Sequence, residues 1–232
     1  MKRAFSITAA IVVATLGCAW GLDACAREPA ATQAPANPLA SWTAGLNYAQ
    51  LPSPQPTDAK PGRVVVNEVF WYGCSHCYAL DPTLEKWKQS KPAFVDFVRI
   101  PVMWAGPMQL QHAKLYYTLM QLNRLDLHTK VFDTIHKDHN VLAAPKDEDA
   151  RALQLAFCKA NGISEQDFNA AYDSPQVAAN LQKAQDATYR YGVASVPLLI
   201  VAGKYTTDVS MAGDPDKLTR LVDDLASSEK KR

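Results

Sequence analysis

Two cysteines separated by two residues, Cys74-Ser75-His76-Cys77, constrain this chain more than any other feature. Thiols at that spacing can close a small disulfide ring and open it again. Val64-Val65-Val66 opens an apolar run before them, and Tyr78-Ala79-Leu80 continues into a stretch able to turn helical, so the motif falls at a strand–turn–helix junction. A helix N-terminus stabilises an anion in its first turn and so acidifies a thiol placed there. A stabilised thiolate leaves easily, and a disulfide that contains it is an oxidant.

Other chemistries use the same spacing. A zinc knuckle needs a second ligand pair. None follows as C-x-x-C or H-x-x-x-H, although His136 and His139 remain conceivable ligands. Covalent haem requires C-x-x-C-H, whereas Tyr78 follows Cys77. A structural staple is the plainest alternative outside the cytoplasm, yet so short a loop removes little chain entropy. Reactivity is the reading these residues favour.

Met1-Lys2-Arg3 is basic, the apolar run over 4–17 is too short to span a bilayer comfortably, and small residues appear in Ala24-Cys25-Ala26. That pattern predicts a signal peptide over 1–26, cleaved before Arg27. Leu16-Gly17-Cys18 and Leu22-Asp23-Ala24-Cys25 each approximate a lipoprotein processing box, with Thr15 and Asp23 out of pattern. A lipid anchor through Cys25 or Cys18 is therefore the alternative to plain cleavage. Residues 27–61, rich in Ala, Pro, Gln and Thr, read as a linker, with 42–48 a candidate leading segment of the domain. Cleavage removes Lys2, Arg3 and Asp23 and leaves 22 basic and 22 acidic residues. A neutral chain lacks the basic excess that nucleic-acid binding normally shows. No Gly-rich phosphate loop, G-x-S-x-G elbow, H-E-x-x-H helix or internal repeat is present. Of the five cysteines, Cys74, Cys77 and Cys158 survive cleavage, and Cys158 falls in an apolar helical pattern as a small buried hydrophobe.

Residues 64–72 have the Val- and aromatic-rich pattern of a central strand, broken by Asn67 and Glu68. Residues 78–89 predict a helix kinked at Pro82, which lacks a backbone donor, and 94–100 a second strand. From about 108 to 187 the period turns helical, with Leu115, Leu119 and Leu122 on one face and Val131, Phe132 and Ile135 on another. Asn161-Gly162 predicts a stop, Ser164-Glu165-Gln166-Asp167 a capped start and Asp173-Ser174-Pro175 a further break, giving four or so helices. Residues 196–201 read as a strand, Ala202-Gly203-Lys204 as a tight turn, 205–209 as the returning strand and 218–226 as a closing helix. The predicted fold is α/β, with 62–101 and 188–227 sharing one sheet and 102–187 inserted as an α-helical domain.

The run Val69-Phe70-Trp71-Tyr72-Gly73-Cys74-Ser75-His76-Cys77-Tyr78, the helical insert, Gly192-Val193-Ala194-Ser195-Val196-Pro197 and the turn Ala202-Gly203-Lys204-Tyr205 together resemble the DsbA family of periplasmic thiol–disulfide oxidoreductases, in the thioredoxin superfamily. The resemblance spans about residues 45–227. It implies a thioredoxin fold with an inserted α-helical domain, Cys74 as exposed nucleophile and Cys77 as its shielded partner. It implies a redox-active Cys74–Cys77 disulfide with no metal or organic cofactor. It also implies a cis Pro197 that offers the backbone of Val196 to a substrate peptide; a trans edge-strand proline is the alternative. Ser75 stands where many members carry proline, and the two central residues tune the redox potential. His76 can donate to the Cys74 sulfur or stand as a plain exposed turn residue. Glu68 and Asp81 match acidic positions near the family site, either assisting proton transfer from the buried thiol or standing as solvated charges. His112, His128, His136 and His139 read as helix-surface residues. Trp71, Met103, Trp104 and Met108 are candidates for the rim of an apolar groove, with core packing as the alternative.

The implied activity is donation of the disulfide to reduced or unfolded exported proteins in a Gram-negative periplasm, with re-oxidation by a DsbB-type membrane oxidase. A monomer with no nucleic-acid partner is expected. A disulfide isomerase or reductase of the same fold is a rival, although isomerases generally add a dimerisation segment and residues 28–60 are proline-rich for one. A non-catalytic chaperone is the second rival.

Overall fold

The computed structural model describes residues 37–230. The expected signal peptide, with Cys18 and Cys25, and the first part of the linker lie outside the described residues.

Strand β1 (Ala49–Gln50) is short, and β2 (Val64–Phe70) is buried along its whole length. It lies inside a five-stranded sheet of order β1-β5-β4-β2-β3. Its neighbours are β3 (Val95–Pro101), in parallel, and β4 (Leu198–Val201), antiparallel; β5 (Tyr205–Thr207) pairs antiparallel with β4 and β1. A strand covered on both faces needs no polar alternation. Asn67 and Glu68 nonetheless sit inside it, and Glu68 is in register with Arg99 of β3.

Helix α1 (Ser75–Ser90) crosses from β2 to β3. It starts earlier than its periodicity indicated because Cys74 is the N-cap: its extended backbone and sulfur take the role usual for Ser or Asp, and Sγ accepts from the Cys77 N–H at 3.3 Å. Cys77, Leu80, Asp81, Leu84 and Trp87 form its buried stripe. Pro82 falls on the exposed side, and α1 runs through it as a single helix.

The insert holds five α-helices and a 3₁₀ turn, somewhat more than expected: α2 (Pro107–Gln121), the turn at Leu125–Leu127, α3 (His128–His136), α4 (Asp147–Ala160), α5 (Glu165–Tyr172) and α6 (Pro175–Arg190). The punctuation falls where the sequence indicates. Gly162 takes φ +78° after α4, and Ser164 and Ser174 cap α5 and α6 by accepting from the Asp167 and Val177 N–H groups. The short α7 (Val209–Ala212) and the closing α8 (Pro215–Lys230) complete the chain. On one side of the sheet Val64 and Val66 pack with Leu80, Leu84 and Trp87 of α1 and Leu218, Leu221 and Leu225 of α8. A second core joins Phe70, Tyr72 and Cys77 to Leu115, Tyr116, Val131, Phe132 and Phe168 of the insert.

Three expectations are corrected. The linker read over 27–61 is not a tether in its described part. Ala49 and Gln50 pair with Thr206 and Tyr205, Leu51 N–H and Gln55 N–H donate to the carbonyls of Lys204 and Gly203, and Trp42 Nε1 donates to Asp224 at 2.8 Å. Backbone pairing and apolar burial dock the segment together, with Tyr48 in the core and Leu39, Trp42 and Leu51 packed against it, and the segment covers an edge that β5 would otherwise expose. The returning strand ends at Thr207, because the Asp208 carboxylate accepts from the Met211 N–H at 2.8 Å and caps α7. His112 and His128 are buried rather than on helix surfaces.

Candidate active site

The motif begins at the end of the loop after β2, with Cys74 as N-cap and Ser75, His76 and Cys77 in the first turn of α1. Ser75 and His76 are exposed, Cys74 is half-buried and Cys77 is fully buried on the inner stripe of α1. Both cysteines are free thiols, so the structure is that of the dithiol. The environment separates them. A hydrogen bond from the Cys77 thiol, reinforced by the N–H groups of Cys77 and His76 and by the charge of His76, outweighs partial burial and brings the Cys74 thiol down to about 6. Burial first, then the hydrogen bond to Cys74 and the charge of Glu68, pushes the Cys77 thiol far above its ordinary range. One sulfur is thus an accessible thiolate at neutral pH, and its neighbour is a shielded thiol.

The Val196–Pro197 peptide bond is cis and lies just before β4 rather than within it. Cys74 Sγ lies 3.6 Å from the Val196 carbonyl oxygen, a contact in which only the protonated thiol can donate. A cleft of about 350 Å³ opens beside this contact, lined by His76, Ala79, Val196, Pro197, Val209 and Pro215 among others. Of the expected rim residues, Trp104 and Met108 are open to solvent at 47 % and 43 %. Trp71 and Met103 are half-buried against the core instead.

Glu68 and Asp81 are buried, so the solvated alternative fails for both. Glu68 shares the strand face of Val64 and Val66, and Asp81 sits one turn after Cys77 on the same stripe. Arg99 joins them: it donates from Nε to Glu68 at 2.7 Å, from NH2 to Asp81 at 3.1 Å and from NH1 to Glu85 at 2.8 Å. The second Glu68 oxygen has no hydrogen-bond partner, and burial raises its carboxyl despite Arg99. Burial acts upward on Asp81 too, but the close approach of His128, the bond from Thr129 and the charge of Arg99 hold it low. Thr129 donates to it at 2.7 Å.

Sequence reasoning missed Arg99 and the insert's contribution. His128, which burial lowers to about 4, lies with Nε2 3.4 Å from Asp81 and Nδ1 2.8 Å from the Tyr72 hydroxyl. His136 stacks on Tyr78 at 4.6 Å and reaches the Tyr72 carbonyl at 2.8 Å. The available signal was one acid in β2 and one Arg in β3, both in mostly apolar strands, which calls for a mutual partner. Cys158 is buried within α4 of the insert, and burial pushes its thiol up to about 12. Among the described residues no cluster of His, Cys, Asp and Glu is placed to hold a metal ion.

An acidified thiol at the start of the first helix, beside a cis-proline loop on a mixed sheet with a helical insert, defines a thioredoxin-fold dithiol protein. Residues 65–226 match the family described as DSBA-like thioredoxin domain. The chain belongs to that family. It is 36 % identical over 190 residues to the thiol:disulfide interchange protein DsbA of Pseudomonas aeruginosa, covering 82 % of this chain and 86 % of the relative. It is 34 % identical over 229 residues to the protein of the same name from Pseudomonas syringae pv. tomato, covering 98 % and 96 %. The crystal structure of P. aeruginosa DsbA superposes with a TM-score of 0.75 at 35 % identity, over 82 % of this chain and 96 % of that one.

Proposed function

We propose that this chain is a protein dithiol oxidase, a thiol–disulfide oxidoreductase that passes its Cys74–Cys77 disulfide to reduced exported proteins. The opposed acidities of the two thiols carry this reading. A client thiolate attacks Cys74 Sγ, forming a mixed disulfide and breaking the internal bond, and Cys77 departs and takes a proton in its buried position. A second client thiolate attacks the client sulfur of the mixed disulfide. Cys74 leaves as a thiolate, the client gains a disulfide and the protein is left as the dithiol. An acid held at about 6 makes Cys74 a good leaving group at neutral pH.

In this reading His76 adds positive charge beside the leaving sulfur, Ser75 sets the local polarity that tunes the potential, and Val196 and Pro197 form the edge against which a client segment lies. The exposed Trp104 and Met108 offer apolar, adaptable contacts to unfolded clients. Glu68, whose charge acts on Cys77, assists proton movement at the buried sulfur, and Asp81 keeps Arg99 in place beside it. A DsbB-type membrane oxidase restores the disulfide, and the work is done in the periplasm after signal cleavage, with anchorage through Cys25 or Cys18 as the alternative.

The test follows oxidation of a reduced model protein by the purified disulfide form. The parent should oxidise it stoichiometrically, and Cys74→Ser should not. Client oxidation unchanged by Cys74→Ser would remove the enzyme reading, and a reduction potential near that of thioredoxin would favour an isomerase or reductase.

A further inference from the structure

The wall behind Cys74 is fastened by a histidine. Trp71 directly follows β2, and its indole lies against Gly73: a Cβ on that glycine would come within 2.4 Å of ring carbon Cζ2. The Trp71 carbonyl accepts from the Cys74 N–H at 3.0 Å, so side chain and backbone of one residue brace the same turn. The indole Nε1–H donates to His112 Nδ1 at 2.9 Å, and His112 Nε2 stands 2.7 Å from the Val141 carbonyl. An indole nitrogen only donates and a carbonyl only accepts. The ring therefore has one satisfactory arrangement, neutral, with its lone pair on Nδ1 and its proton on Nε2. His112 is 1 % exposed, and burial favours the same uncharged form.

We propose that His112 is a positioning residue for the redox site: through Trp71 and Gly73 it fixes the turn that presents Cys74 at the start of α1. The predicted effect on turnover rests on the oxidase reading; the effect on Cys74 acidity does not. Removing the acceptor leaves the indole N–H without its partner and frees the ring from Gly73. The Cys74 sulfur then loses its set distance to the first-turn amides, and a reacting group held less closely works more slowly.

The experiment compares His112→Phe, His112→Asn, Gly73→Ala and the double variant His112→Phe/Gly73→Ala with the parent. In the dithiol form it reads the Trp71 indole ¹H–¹⁵N resonance and the thiolate absorbance of Cys74 against pH. In the disulfide form it reads kcat/KM on a reduced model protein. His112→Phe should move the indole resonance, raise the Cys74 midpoint above about 6 and lower kcat/KM by about tenfold. His112→Asn, whose amide oxygen can accept from the indole, should restore most of both. Gly73→Ala pushes the indole away without touching His112, so it should reproduce the shift, and the double variant should be no worse than either single one. A His112→Phe protein that only loses stability, with the parent's midpoint and kcat/KM, overturns the proposal. If that variant does not fold, Gly73→Ala decides: a displaced indole with an unmoved midpoint overturns it equally. Failure of the oxidase reading would show separately, as a parent that oxidises no client while the thiolate midpoint still answers to His112.

Discussion

At the residue scale, the two sulfurs differ because Cys74 accepts from the Cys77 thiol and caps a helix, whereas Cys77 lies on the buried stripe of that helix. The Cys74 thiol falls from an ordinary 9.0 to about 6 in the folded dithiol. A lowered acid contributes stability that is fully present above the unfolded value and is lost as pH falls through the folded one. The dithiol form should therefore gain resistance to urea between pH 6 and 9, and Cys74→Ser should abolish that gain. Thiolate absorbance should rise through a single midpoint near pH 6 with no second step from Cys77 in the accessible range. Arg99 has a different weight. Its loss in Arg99→Met leaves Glu68 and Asp81 buried without a counter-charge, and removal of one partner from such a cluster costs about 3–5 kcal/mol. Glu68→Gln should cost less in the same urea titration, since Arg99 keeps Asp81 and Glu85.

At the element scale, helix caps and stops follow from near neighbours along the chain. The caps at Ser164 and Ser174 and the stop at Gly162 depend on residues within four positions of one another, so their chemistry is visible in the chain. The start of α1 was misplaced because cysteine is not among the usual capping residues, although its sulfur does that work here. The two residues of β1 carry no periodicity, and their strand exists only because β5 offers them an edge. Gly203 secures that docking: it takes φ +64°, and a Cβ there would stand 2.3 Å from the Gln55 carbonyl oxygen. Gly203→Ala should destabilise the protein by more than about 1 kcal/mol and speed proteolysis between residues 51 and 61. Equal cleavage rates for parent and variant would count against this role for the N-terminal segment.

At the scale of the whole molecule, the insert is tied into the redox site through polar side chains, two of them histidines expected on helix surfaces. His128 touches Asp81 of α1 and Tyr72 of the preceding loop, His112 holds Trp71, and Asp133 accepts from Tyr78. Burial brings His112 and His128 each to about 4 from an ordinary 6.5. For a base held low, the unfolded chain takes up its proton first as pH falls, so the contribution is whole above 6.5 and lost towards 4. Unfolding free energy of the disulfide form, free of Cys74 titration, should decline across that window with a slope approaching two protons, and His112→Asn should reduce the slope by about one. A flat profile between those limits would mean that the two rings are not held neutral.

The chain by itself determined that two thiols meet at a strand–helix junction, that helices interrupt a sheet and that the strands on either side rejoin. These follow from spacing, periodicity and capping, all set by near neighbours along the backbone. Only the tertiary structure decided that Glu68, Asp81 and Arg99 share one buried cluster, that two histidines of the insert face inward and that Trp71 is clasped behind Cys74. Burial and partner choice depend on which surfaces close over a residue, and here the partners lie 18 to 41 residues apart along the chain.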